Sequence, residues 1–447
     1  MNTKLLFKSF KILILAVFWP TSAPAIFSGN NFNFAYDDNI LYSYWKADPC
    51  KEAKEPQPKG SFKTGLNFEY GFGGKGKNSN YKTVDIAQIY GPVESYIHSM
   101  DYSTDPEVLT TELEKFLHPP LILTDSTGHI LEYSLNAKKE EWDLNFWTSV
   151  SVPSKEYGEF GVSVYFPLKI VNISNVSAKL TPLPEDLQAI LDNLPELKTE
   201  LSNLPKLTDH NLGGLKLGSW SNDRPWGDLH FILSWNKTLS YKHWNNSWFN
   251  IFTQIGITAP TADPQDQQNV FSIPRGNDNA LGVPFSISLN AFFKNQIRVG
   301  ACADFLFSTK EKSYRRLKRT VDQTERLIAD KVKAERDPGM VYRFTGLLEL
   351  KTESRIFSGL LAWQVVYKEK DKFSDFSNSE YSRTIVNQSE RWQKKIVYNV
   401  IAKAGIDFKV LTKSENAPKL SVSYKLPITG KRVELFHSIG LNLSMNF

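Results

Sequence analysis

The last stretch of the chain narrows the folding options most. Reading back from the terminus, Phe447, Met445, Leu443, Leu441 and Ile439 alternate with Asn446, Ser444, Asn442 and Gly440. Successive side chains of a strand point to opposite faces, so this segment has one wholly apolar face and one small, polar face. Taken alone, the alternation fits a half-buried strand in a soluble sheet as well as a strand with one face in lipid. The same period recurs upstream. Phe62, Leu66, Phe68, Tyr70 and Phe72 alternate with Lys63, Gly65, Asn67, Glu69 and Gly71. Further strands are expected over 142–152 with 160–166, 229–235 with 249–257, 285–289 with 297–307, 342–350 with 357–367, and 398–410 with 420–426.

The connections between these strands alternate in length. Long ones fall near 73–141, 169–225, 259–282, 308–339 and 368–394, and short ones lie between them. A transmembrane β-barrel sorts its loops this way, long outside and short in the periplasm, whereas a soluble sheet has no reason to. The pattern predicts an all-β fold: an antiparallel transmembrane barrel of about 12 strands, with 14 as the alternative and short helices in its long extracellular loops. An even strand count puts both chain ends on the periplasmic side. No repeat of roughly 40 residues is present, which argues against a propeller. Aromatic residues make up 13% of the chain, with 11 Trp. Trp142, Trp226, Trp235, Trp248, Trp363 and Trp392 lie near strand ends, where membrane-interface girdles use them.

The amino terminus reads as an export signal. Lys4, Lys8 and Lys11 precede the apolar run 12–19, and Ala23-Pro24-Ala25 gives the small-residue cleavage pattern. The run is shorter than the roughly 20 residues that cross a bilayer as a helix. Residues 1–25 are therefore expected to be a signal peptide and 26–60 a segment outside the wall, a candidate plug, with the barrel over 61–447. Losing three lysines lowers the formal charge from +5 to +2, which gives no reason to expect a nucleic-acid partner.

A terminal aromatic with apolar residues at alternate positions before it resembles the C-terminal signal of Gram-negative outer-membrane β-barrel proteins. The resemblance implies a place in the cell outer membrane. It also implies outer-membrane lipid and lipopolysaccharide as surroundings, and assembly by the barrel-assembly machinery, which reads the positions Phe447, Met445, Leu443, Leu441 and Ile439. Within that class, Gly256-Ile257-Thr258-Ala259-Pro260-Thr261 is similar to a strand end of transporter barrels for hydrophobic compounds. This second likeness implies passive uptake through a plugged barrel. The chain departs from it in a lower strand count and in the lack of a hatch motif.

The expected function is a channel or passive transporter for small solutes through a polar lumen, plugged or open. Strand parity makes Arg298, Asp304, Arg343, Glu349, Lys403 and Asp407 the candidate pore-lining residues. Arg315, Arg316, Lys318 and Arg319 form a basic cluster just past a strand end, followed by Leu317, Val321, Ile328 and Val332 at near-helical spacing. Folded into the mouth, such a cluster favours anions; a solvated helix is the plainer reading. The Leu-rich stretch 184–203 is a candidate lid or plug, or a loop helix packed on its neighbours. A structural or adhesive barrel remains an alternative, and a barrel hydrolase a third. Asp228, His230 and Ser234 share one strand face, but any three alternate polar residues do. No GxSxG, HExxH, P-loop or CxxC occurs, so no cofactor or metal is expected. Export would place Cys50 and Cys302 in an oxidising compartment, and a Cys50–Cys302 disulfide would tether the N-terminal segment inside the lumen.

If the terminal aromatic is the group that assembly reads, deleting Phe447 lowers insertion into the outer membrane. Heat-modifiable mobility on a gel measures this, and full insertion of the deletion variant would remove the role assigned to it.

Overall fold

The computed structural model describes residues 61–90, 93–94, 132–154, 156–180, 192, 214–222, 224–240, 247–274, 276–293, 296–321, 323, 325, 328, 331–412, 414 and 417–446. The signal peptide, the 26–60 segment, most of 184–203, Cys50 and Phe447 lie outside these residues.

Twelve antiparallel strands form one closed wall. In chain order they are β1 (Ser61–Lys77), β2 (Glu132–Ser154), β3 (Gly158–Leu180), β4 (Leu229–Ser240), β5 (Ser247–Ala259) and β6 (Gly282–Phe293). They continue as β7 (Ile297–Ser308), β8 (Val341–Lys351), β9 (Phe357–Lys368), β10 (Lys395–Asp407), β11 (Lys419–Lys431) and β12 (Val433–Asn446). Each strand pairs with the next, and β1 pairs on one side with β2 and on the other with β12, in register from Lys63 opposite Asn446 to Phe72 opposite His437. That last pairing closes the cylinder.

Parity sorts the two faces. Phe146, Val162, Leu233, Ile255, Leu289, Val299, Phe344, Trp363, Val422 and Ile439 are exposed large apolar groups pointing outward from neighbouring strands. The patch runs round the wall and is far larger than the few hundred Å² a soluble monomer tolerates. Polar residues of the opposite parity, among them Asn145, Ser163, Asn250, Gln254, Ser288, Arg298, Thr345, Gln364, Asn399 and Asn442, are buried within. The chain is a transmembrane β-barrel.

Some strands differ from the expected spans. β2 and β3 begin or end well beyond 142 and 168, and at about 3.3 Å per residue each runs roughly 75 Å, far more than a ~30 Å hydrocarbon layer needs even with tilt. They stand above the wall on the long-loop side as a ribbon. β10 stops at Asp407, because Phe408–Thr412 is a short helix rather than further strand. The expected girdle is partly present. Trp142 lies tilted against Tyr70 with ring centroids 4.2 Å apart, Trp226 meets Phe166 edge-on at 5.2 Å, and Trp363 and Trp235 also lie on the outer surface, Trp235 donating to the Tyr157 carbonyl at 2.6 Å. Trp248 is instead inside, stacked on Phe292, and Trp392 packs on Phe373 in a long loop.

The orientation of Leu361, outward on β9, gives a stability test. Leu361→Arg is expected to cost about 2–4 kcal/mol near mid-membrane, whereas Lys403→Arg, at an inward position that already holds a cation, leaves stability nearly unchanged. Urea titration of the refolded barrel compares them, and equal costs would mean the faces are reversed.

Candidate functional site: a roofed polar lumen

The lumen is lined rather than empty. Toward the short-turn end, Phe292, Arg298, Glu349, Leu360 and Lys403 face one another across successive strands. Arg298 bonds Asn290 Oδ1 at 3.0 Å and Glu349 at 3.5 Å, and its guanidinium lies 5.6 Å from the Phe292 ring, which Trp248 stacks upon. Halfway up, Arg343 Nε donates to Asp304 Oδ2 at 2.9 Å, with the Sγ of Cys302 3.3 Å from Asp304 Oδ1. Leu306, Val341, Val366 and Val397 form an apolar arc above them. On the opposite wall Trp147 lies across Gly65, where a Cβ would stand 2.5 Å from the indole, so only glycine leaves the ring its place.

Between these levels runs a polar arc. Gln254 bonds Ser286 at 3.1 Å, Asn399 bonds Gln364 at 3.0 Å, and Ser163 bonds Ser149 at 2.9 Å. Thr345 Oγ1, Gln364 Nε2, Asn399 Oδ1 and Asn442 Nδ2 are buried with no hydrogen-bond partner among the described residues. Buried amide and hydroxyl groups in that position are ordinarily served by water.

On the long-loop side the mouth is roofed. Ile86, Ile89 and Tyr90 from the first connection pack with Leu135, Val171 and Ile173 of the β2–β3 ribbon and with Val270 and Phe271 of the β5–β6 loop. A second apolar core joins Leu317, Val332, Ala334, Phe373, Tyr381 and Val386. It lies under a three-stranded sheet of Glu311–Arg316, Lys331–Asp337 and Lys372–Ser374. The helical spacing read across Leu317 to Val332 is therefore not a helix at its ends. Leu317 directly follows the strand that ends at Arg316, Val332 lies within the next strand, and both share one core with Phe373, Tyr381 and Val386.

The two roof pieces meet through ions. Asp278, on the β5–β6 loop, takes Arg315 and Arg336 Nη1, the latter at 2.8 Å. Arg315 also binds Glu311 at 2.7 Å. Arg336 reaches Asp371 at 2.9 Å, which Lys368 and the Gly339 amide also bond. Arg316 donates to the carbonyls of Gln267 and Ile328. Burial opposes the charge on both carboxyls, but Arg315 and Arg336 outweigh it at Asp278, as Arg336 and Lys368 do at Asp371. Both are held below the usual carboxylate range.

Between roof and mouth lies a cavity of about 100 Å³. Ile86, Ile173, Val270 and Phe271 line it with apolar groups, and Asp278, Arg336, Lys368, Asp371, Arg391, Lys395 and Glu434 with charged ones. Glu434 bonds Lys139 at 2.9 Å, and Lys139 also pairs with Glu141 at 3.1 Å.

The candidate residues named from sequence are placed as follows. Arg298, Asp304, Arg343, Glu349 and Lys403 point into the lumen and are almost wholly buried. Asp407 stands at the short-turn rim, paired with Lys419 at 2.6 Å. Arg315 and Arg316 are buried roof fasteners, not a solvated cluster, while Lys318 pairs with Glu325 at 3.3 Å and Arg319 with Glu380 at 2.6 Å. Ile439, Leu441 and Leu443 face outward on β12. Asp228 holds the Ala262 amide at 3.0 Å and the Asn277 amide, and His230 Nδ1 faces Thr258 Oγ1 at 2.8 Å, so Asp228 anchors a loop. Sequence reasoning missed Asp278, Asp371, Lys368 and Lys395, which come from three separate stretches of the chain and carry no shared motif.

No protein-family model matches the sequence, and no curated protein does. Among solved structures, the chain is similar to an outer-membrane channel from Pseudomonas putida F1, with TM-score 0.49 and 10% identity over 88% of this chain and 97% of that one. It is also similar to the Pseudomonas putida toluene transporter TodX, with TM-score 0.28 and 11% identity over 94% and 96%. A third is the outer membrane protein OprD from Pseudomonas aeruginosa, with TM-score 0.27 and 5% identity over 87% and 94%.

The ion joint makes two measurable demands. Asp278→Ala leaves two buried guanidiniums short of a partner, a change worth about 3–5 kcal/mol, so amide exchange in 311–316 and 331–337 is expected to speed up by roughly a hundredfold or more. Unchanged exchange would mean the joint holds nothing. Carboxyls whose folded pKa is depressed stabilise above their unfolded value and lose that contribution as pH falls. Resistance of the roof to proteolysis is therefore expected to hold from neutral pH down to about 4 and to decline below it. A decline already complete at pH 6 would exclude Asp278 and Asp371 as its cause.

Proposed function

We propose that this protein is an outer-membrane channel that admits small solutes passively through the lumen, with the long loops on the extracellular side. The observation that carries the reading is the division of one closed wall into an apolar outer face and an inner face of amides, hydroxyls and paired charges. A merely structural barrel has no need of buried polar atoms that water must serve, such as those of Gln364 and Asn399. Twelve strands also give a wider interior than the eight whose side chains fill the barrel completely.

Selectivity in this reading comes from the narrow levels and their charges. Arg343 pairs with Asp304 at one level, and Arg298 with Glu349 at the other, where Lys403 adds a second cation, so the lumen filters by size and polarity with at most a slight bias toward anions. The basic loop cluster contributes little free field, because Arg315 and Arg316 are already bonded to acids and carbonyls. Neutralising them would unfasten the roof before it altered ion preference.

Planar-bilayer conductance and liposome swelling with neutral solutes of graded size test the proposal. The mature chain is expected to conduct, and Trp248→Ala, which removes a ring from the short-turn floor, to raise conductance about twofold. Absence of both conductance and swelling above the lipid background, in wild type and variant alike, would rule out a channel.

A further inference from the structure

We propose that the cavity between roof and mouth is a binding site for a small monocarboxylate with a short apolar body, its carboxylate on Lys395 and its body against Ile86, Ile173, Val270 and Phe271. The assignment deepens the channel reading by naming the solute chemistry, and rests on that reading for the site's role as the solute's first station.

Lys395 supplies the main argument. Its side chain is 8% exposed, and its Nζ donates to the Tyr90 hydroxyl at 2.7 Å. No carboxylate pairs with it among the described residues. An ammonium has three donors and a neutral hydroxyl takes one. A buried cation so placed is costly unless an anion joins it. The register adds to this: Lys368 and Lys395 stand directly opposite on β9 and β10, and like charges across a ladder repel.

The acids nearby do not relieve it. Asp371 is shared by Arg336 and Lys368, Asp278 by Arg315 and Arg336, and Glu434 is bonded to Lys139. Arg336, Lys368, Arg391 and Lys395 line the cavity against Asp278, Asp371 and Glu434, so it presents one cation in excess, which suits a single negative charge and not a dianion. Ile86, Ile173, Val270 and Phe271 add aliphatic and aromatic groups to the same lining, which suit an apolar body. The size sets the rest. At about 100 Å³ the space is smaller than the ~150 Å³ cavity that holds benzene, so a short chain fits where a fused ring system does not.

Equilibrium dialysis of the detergent-solubilised mature barrel against radiolabelled butanoate and its neutral isostere butanamide tests the site. Wild type is expected to bind butanoate at least about tenfold more tightly than butanamide. Lys395→Met is expected to abolish that preference, and Lys395→Arg to keep it, with heat-modifiable mobility confirming that both variants are folded. Equal affinity for acid and amide in wild type, no binding of butanoate, or unaltered preference in Lys395→Met would overturn the proposal. The wild-type comparison decides even if a variant does not fold. Conductance is read separately: a barrel that conducts without binding butanoate sinks the site and leaves the channel, and one that binds butanoate without conducting leaves the site and sinks the channel.

Discussion

A backbone amide or carbonyl facing hydrocarbon with no partner costs several kcal/mol, so a sheet in lipid has to end where it began. The ladder between β1 and β12 meets that demand, and the orientation of every other strand follows from it. A slip of one residue anywhere in the circuit would turn an apolar face inward and a charged one to lipid. Two seams are short even so. β3 and β4 pair only over Glu159 to Tyr165, and β11 and β12 only from Lys419 to Lys425. Above the first, the approach to β4 takes over the ladder: Gly227 donates to the Pro167 carbonyl at 2.9 Å, and Asn222 bonds the backbone of Lys169 and Val171. Above the second, Pro427 has no N–H to give, and the Tyr424 hydroxyl reaches His437 at 2.8 Å.

The wall was legible because lipid imposes a strict period of two. One outward apolar residue fixes the parity of its whole strand. Val299 and Phe307 outward thus place Arg298, Cys302 and Asp304 inward, where the structure has them. The alternation of connection lengths was legible for the same reason, since in a barrel every crossing of the membrane is a strand and all irregular chain is left to the two sides. Neither signal reaches beyond the bilayer. The β2–β3 ribbon breaks its pairing between Asn136 and Lys138 opposite Ser177 and Ser174, with Asn175 at φ 51°, and the period is interrupted there.

The roof was illegible for a different reason. Leu317 and Val332 are fifteen positions apart, a separation that suits a helix face but equally suits the end of one strand and the start of the next, sharing a core with Phe373. A run of cations such as Arg315 and Arg316 reads as solvated, because sequence does not say that Asp278, Glu311 and the Gln267 carbonyl will be brought to it. The cavity has the same character. Its lining comes from several connections and strand ends, and none of its residues stands near another in a recognisable motif.

The division of labour within the roof has an energetic logic. Each half keeps its own apolar core, one around Phe271 and Ile173 and the other around Phe373 and Val332, and burial of those side chains contributes whether or not the halves touch. The joint between them is ionic: Asp278 rides on the first half, and Arg315 and Arg336 on the second. Buried ion pairs add little net stability, because the attraction mostly offsets the lost hydration. Separating the halves as whole units would return these charges to water, recovering solvation, whereas breaking either core would expose apolar surface with no such return. The weakest section of the roof on these grounds is the one that lies over the lumen mouth, beside Lys368 and Lys395.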